Sequence, residues 1–228
     1  MSFGAAFLSA LRLLTTCDPQ VVAAVMVSLR VALLATVLAT VLGLPLGFLV
    51  AARRFQGRRV LEVALNTLTA MPTVVVGLFT YAVLSRRGPL GMLALLYTQW
   101  AMVIGETILV TPLMAALTMG VVSGADPRVE ETALTLGASR LVAAFTVLLE
   151  MRRGILAAIV TGFGRLISEL GIALMVGGNI AGSTRTMTTA IALETSKGEF
   201  ALGFALGLIL LGVALAVNLA LAALAPPR

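Results

Sequence analysis

Long, unbroken runs of apolar residues separated by short Arg-bearing stretches dominate the chain, and they lack the apolar–polar alternation of a barrel strand. Windows of about 20 apolar residues, the length a helix needs to cross a bilayer, predict five spans. These lie within 21–51, 60–84, 100–122, 155–177 and 201–224. The run 90–98 is too short to cross and leads into the third span. Residues 3–14 are apolar, but too short to span and without a basic region ahead of them, so they are expected to lie at the membrane interface. The expected fold is an all-α integral membrane protein: an interfacial segment over 1–18, then one transmembrane domain over 19–228, interrupted by a cytoplasmic loop at 123–154.

Composition supports this and removes catalysis. Hydrophobic residues make up 60% of the 228, charged residues 11%, and the mean hydropathy is +1.08. Soluble domains carry about a quarter charged residues. The chain has no His, one Cys (Cys17) and one Lys (Lys197), which is followed by Gly198. His-based triads, Cys–His nucleophiles, ordinary zinc sites and a Lys-Ser/Thr phosphate loop are thereby excluded. No enzymatic activity, cofactor or metal is expected. The net charge of +6 reflects Arg-rich loops on the cytoplasmic side of a membrane rather than nucleic-acid binding.

Those loops orient the chain. Arg53, Arg54, Arg58, Arg59, Arg128, Arg140, Arg152, Arg153 and Arg228 put nine basic residues on one side, against five on the other: Arg12, Arg86, Arg87, Arg185 and Lys197. Five spans, with the N-terminus outside and the C-terminus in the cytoplasm, fit that division.

Residues 126–153 are too charged to span yet carry a helical pattern, with Val129, Ala133, Leu134 and Leu136 around Glu130 and Glu131. Asp126 suits an N-cap with Pro127 at the first helical position, Gly137 allows a turn, and Ala138–Ser139 opens a second helix. The segment is either a knob for a partner or an ordinary amphipathic loop.

Four charges fall inside spans: Arg30, Glu106, Arg165 and Glu169. Each costs about 2.5–3.5 kcal/mol at a helix centre, so partners are expected. Arg165 and Glu169 are four apart and can pair, either fixing helix packing or bordering a solute path. Glu106 is expected to pair with Arg30. The Thr-rich stretch Asn179–Lys197 offers hydroxyl donors and Arg185 to an oxyanion. It suits better a solvent-facing re-entrant or interfacial helix capped by Ser183 or Thr184 and ended at Gly198. Gly43-x-x-x-Gly47 and Gly203-x-x-x-Gly207 are read as packing devices, with Pro45 a possible kink.

Glu131-Thr132-Ala133-x-x-x-Gly137 resembles the E-A-A-x-x-x-G signature of permease subunits of ATP-binding-cassette importers. Thr132 departs from it, and Val147-Leu148-Leu149-Glu150 replaces the usual I-x-L-P. Met71–Leu78, Gly164–Gly171 and Gly178–Arg185 resemble stretches of molybdate- and sulfate-type permeases, and 175–200 is closest to their tungstate branch. The resemblance implies a type I importer permease taking up tungstate, or else molybdate or sulfate, in a prokaryotic cell (inner) membrane. It implies a coupling helix bearing Glu130, Glu131, Ala133, Gly137 and Ala138, and partners to match: a cytoplasmic ATP-binding subunit, an extracytoplasmic oxyanion-binding protein and a second copy. Arg165, Glu169, Asn179, Thr184 and Arg185 are the gate or pathway candidates. From the residues alone, a self-contained ion-coupled transporter using Glu106 and Glu169, or a plain membrane anchor, stays open.

Overall fold

The computed structural model describes residues 12, 15, 16, 18–52 and 55–224. Most of the expected interfacial segment 1–18, with Arg53, Arg54 and Arg228, lies outside them. The described chain is helical throughout: α1 (Pro19–Ala52), α2 (Arg58–Thr69), α3 (Thr73–Leu84), α4 (Gln99–Ser123), α5 (Pro127–Thr135), α6 (Arg140–Glu150), α7 (Arg152–Ile167), α8 (Met187–Lys197) and α9 (Phe200–Leu224).

Three helices, α1, α4 and α9, are long and apolar enough to cross a membrane, and α2 with α3 makes a fourth if that bent pair counts as one span. The expected continuous helix over 60–84 is in fact two helices bent by 96°. Pro72 is the cause: it lacks an N–H and disfavours helical geometry at Met71, so α2 stops and α3 begins from Pro72. The expected helix over 155–177 is also divided. α7 ends at Ile167, and a π-helical turn follows at Ala173–Gly177. Hydropathy windows measure apolar length and are blind to such breaks.

The core forms around α1 and α4. Gly43 and Gly47 bring the two backbones together: a Cβ at Gly43 would stand 2.6 Å from the Met114 Cβ, and one at Gly47 would strike the Ala115 carbonyl. Pro45 sits between them inside a continuous α1. Gly203 and Gly207 differ. An added Cβ at Gly203 would meet Thr195 Oγ1 of α8 at an ordinary 3.7 Å and one at Gly207 would meet nothing, so among the described residues neither marks a close backbone approach.

α7 and the π-helical turn run alongside α4 in the opposite direction. Gly154 lies against Val121, Gly162 against Met114 and Gly177 against Met102. α8 starts beside α1, where the Met187 N–H donates to Ser28 Oγ (2.8 Å). Its N-cap is Thr186, in a reciprocal capping box with Thr189, rather than Ser183 or Thr184. Gly198, at φ 78°, ends it where expected.

Candidate functional site: an exposed knob and a buried charged break

The segment after α4 folds as a helix–turn–helix. Asp126 accepts the Arg128 N–H (2.9 Å) with Pro127 in the first turn, as an N-cap should. Gly137, at φ 87°, lets the Gly137 and Ala138 N–H groups return to the Leu134 and Ala133 carbonyls (both 3.0 Å). Ser139 then caps α6. Glu130, Glu131 and Gly137 are exposed. Ala133 and Ala138 line a hollow of about 530 Å³ with Val129, Thr132 and Leu136. Leu136 is 83% exposed, and α6 presents Leu141, Phe145 and Leu149 outward as well. Arg128 and Thr146 complete the lining, and an exposed, mostly apolar hollow of this kind suits a protein partner better than water. The outward stripe on α6 escaped sequence reading, although its i, i+4, i+8 spacing carries the signal.

Deeper in the bundle, the break after α7 is built on Glu169. Its Oε2 accepts Arg165 Nη1 (2.9 Å), while Oε1 accepts the N–H groups of Gly171 (2.8 Å) and Ile172 (3.3 Å). The carboxylate thus pairs with one helix end and caps the next. The Glu169 carbonyl accepts Thr188 Oγ1 (2.7 Å), and Thr188 shares a bond with Thr186 (2.9 Å) at the start of α8. Four polar residues, Arg165, Glu169, Thr188 and Thr186, therefore tie α7, the break and α8 together. Glu169 is 2% exposed by side chain and Arg165 41%.

The expected partnership of Glu106 with Arg30 does not form. Val27, Ser28, Val31 and Ala35 make the buried stripe of α1, and Arg30 falls off it, exposed. Glu106 is 2% exposed, with Oε2 unpartnered among the described residues; the charges within its electrostatic reach are Glu169 and Arg165. Helical phase, not distance along the chain, decides which charges meet.

Asn179, Thr184 and Arg185 assemble at the other end of the π-helical turn. Thr184 is fully buried, its hydroxyl donating to the Gly177 carbonyl and accepting the Ile180 N–H (3.1 Å). Arg185 Nε donates to Asn179 Oδ1 (3.2 Å), and Asn179 holds a left-handed φ of 52°. Gln99 Nε2 donates to the Ser183 carbonyl (2.7 Å), and the Tyr97 N–H to Val176 (2.9 Å), so 95–99 braces this turn. The hydroxyls of Thr184, Thr186, Thr188 and Thr189, which the sequence offered to an anion, are thus engaged within the chain.

The long apolar helices, with an exposed helix–turn–helix knob between two of them, define a helical membrane protein with a protruding contact surface. Residues 43–227 match the family described as the binding-protein-dependent transport system inner membrane component, and the chain belongs to it. It is a permease of the ATP-binding-cassette importer type. It is 38% identical over 212 residues to the tungstate uptake system permease protein TupB of Peptoclostridium acidaminophilum, covering 93% of each chain. It is 29% identical over 186 residues to the molybdenum transport system permease protein ModB of Escherichia coli, covering 77% of this chain and 81% of that one. In fold it is similar to the MetNI methionine ABC transporter in an inward-facing form: TM-score 0.70, 15% identity, 91% of this chain and 97% of that chain.

Proposed function

We propose that this chain is the transmembrane subunit of a tungstate importer, in which two copies enclose the anion path. Its observation of record is Arg165. One turn beyond Gly162, which lies against Met114 near the middle of α4, Arg165 keeps a 41% exposed side chain. An arginine facing hydrocarbon there would cost about 2.5–3.5 kcal/mol, so that face meets water or a second copy instead. Glu169 tempers the positive charge, which suits an anion path that must hold its solute weakly.

In this reading α7 with the π-helical turn adds a fifth crossing to α1, α2 with α3, α4 and α9. With the N-terminus outside, α5 and α6 stand in the cytoplasm. There the Ala133–Ala138 hollow receives an ATP-binding subunit, with the exposed Glu130, Glu131 and Gly137 of the same helix and turn contributing. The Asn179–Arg185 turn faces an extracytoplasmic oxyanion-binding protein. ATP binding draws the two knobs together and opens the path outward; hydrolysis resets it. No bond in the solute changes. Tungstate is favoured over molybdate by the higher identity to the tungstate relative. The test is uptake of labelled tungstate by the reconstituted transporter in competition with molybdate and sulfate. Tungstate must compete best; equal competition by sulfate would contradict the assignment.

A further inference from the structure

Where α6 meets α7, beside the end of α9, lies a hollow of about 640 Å³, within the roughly 300–1,000 Å³ range of ligand sites. Leu149, Ala157, Leu221 and Leu224 give it apolar walls, and Arg152 and Arg153 stand exposed at its mouth. Neither arginine makes an ion pair or side-chain hydrogen bond among the described residues. One wall is α9, of which only 11% of the span is buried, so the hollow is continuous with the surface that meets lipid.

Depth sorts these groups. Gly154, next to Arg153, lies against Val121 near the end of α4 at Ser123, which puts the two guanidinium groups at the level of phospholipid headgroups. Ala157 is one turn further in, level with acyl chains. Water in the hollow would wet its leucines, and a soluble anion would satisfy the arginines but leave the leucines uncovered. A molecule with an anionic head and a hydrocarbon tail satisfies both, and basic pockets at helix ends on the cytoplasmic side hold such lipids. Glu150 also borders the hollow and offsets one of the two positive charges, leaving a balance suited to a singly charged phosphodiester.

We propose that this hollow binds one anionic phospholipid from the bilayer, its phosphate on Arg152 and Arg153 and a chain along Ala157, Leu221 and Leu224. The inference goes beyond the transport function and rests on it only in naming the leaflet as cytoplasmic. Leu149 and Glu150 of α6 line the hollow themselves, so the bound lipid fixes the knob's attachment to the membrane.

The test is native mass spectrometry of the assembled transporter, released from nanodiscs of equal phosphatidylglycerol and phosphatidylcholine. The expected result is about one retained phosphatidylglycerol per permease chain, preferred over phosphatidylcholine by about fivefold for each arginine. Arg152→Gln with Arg153→Gln should abolish the preference, Arg152→Lys with Arg153→Lys should keep most of it, and Ala157→Trp should lower retention of both lipids. Arg58→Gln with Arg59→Gln, a basic pair elsewhere on that face, should change nothing. Equal retention of the two lipids by the unaltered protein would overturn the proposal, and that comparison needs no variant. So would loss of preference in the Arg58/Arg59 variant, displacement of the lipid by inorganic phosphate, or a hollow filled by protein when the subunits assemble.

Discussion

Glu169 shows how much one side chain holds. Its two oxygens serve Arg165, Gly171 and Ile172, and its carbonyl serves Thr188. Glu169→Gln keeps an acceptor for the two backbone N–H groups but turns the Arg165 ion pair into an amide facing a guanidinium. Charged hydrogen bonds of this kind contribute roughly 1.5–3 kcal/mol, and the half-exposed arginine puts this one at the lower end. Anion uptake should fall, while the variant still purifies with its ATP-binding subunit; unchanged uptake would remove Glu169 from the working part of the molecule. Sequence spacing alone made the Arg165–Glu169 pair legible, because i, i+4 is a local rule. The bonds of Thr188 and Ser28 were not legible, since they depend on how separate helices meet. The Glu106–Arg30 expectation failed for the same reason.

At the scale of elements, the helix pairings set apart two glycine pairs that look alike in sequence. Gly47→Ala must push α1 off the Ala115 carbonyl, an overpacking cost of about 1–3 kcal/mol, whereas Gly207→Ala meets open space. Thermal melts of the detergent-solubilised protein should therefore show a lowered Tm for the first and an unchanged Tm for the second. Equal melting would contradict the α1–α4 packing. In the knob, Leu136 is exposed and supports no core, so Leu136→Asp should leave the Tm alone yet reduce co-purification of the ATP-binding subunit several-fold. Full co-purification would move the docking surface elsewhere. The knob was readable residue by residue because its caps and turn are local: Asp126, Pro127, Gly137 and Ser139 each act within a few positions. The breaks at Pro72 and Ser168 were obscured by the apolar length around them, though Pro72 was a visible signal.

Across the whole molecule, composition identified a helical membrane protein without an engine of its own. The fold adds a knob continuous, through α7, with the break that holds Arg165. Helix α7 starts at the knob and ends at Glu169's ion pair, so a displacement of the knob reaches the middle of the bundle along one rigid element. Hydropathy made the long apolar helices legible and Pro72 marked one break, whereas the break after Ile167 depends on tertiary contacts that no hydropathy window contains. The most direct test reconstitutes the chain in liposomes, with its ATP-binding subunit and its anion-binding protein, and follows labelled tungstate with and without ATP. The account predicts uptake that requires all three components and ATP. Uptake by the chain alone under an ion gradient, without ATP, would contradict it.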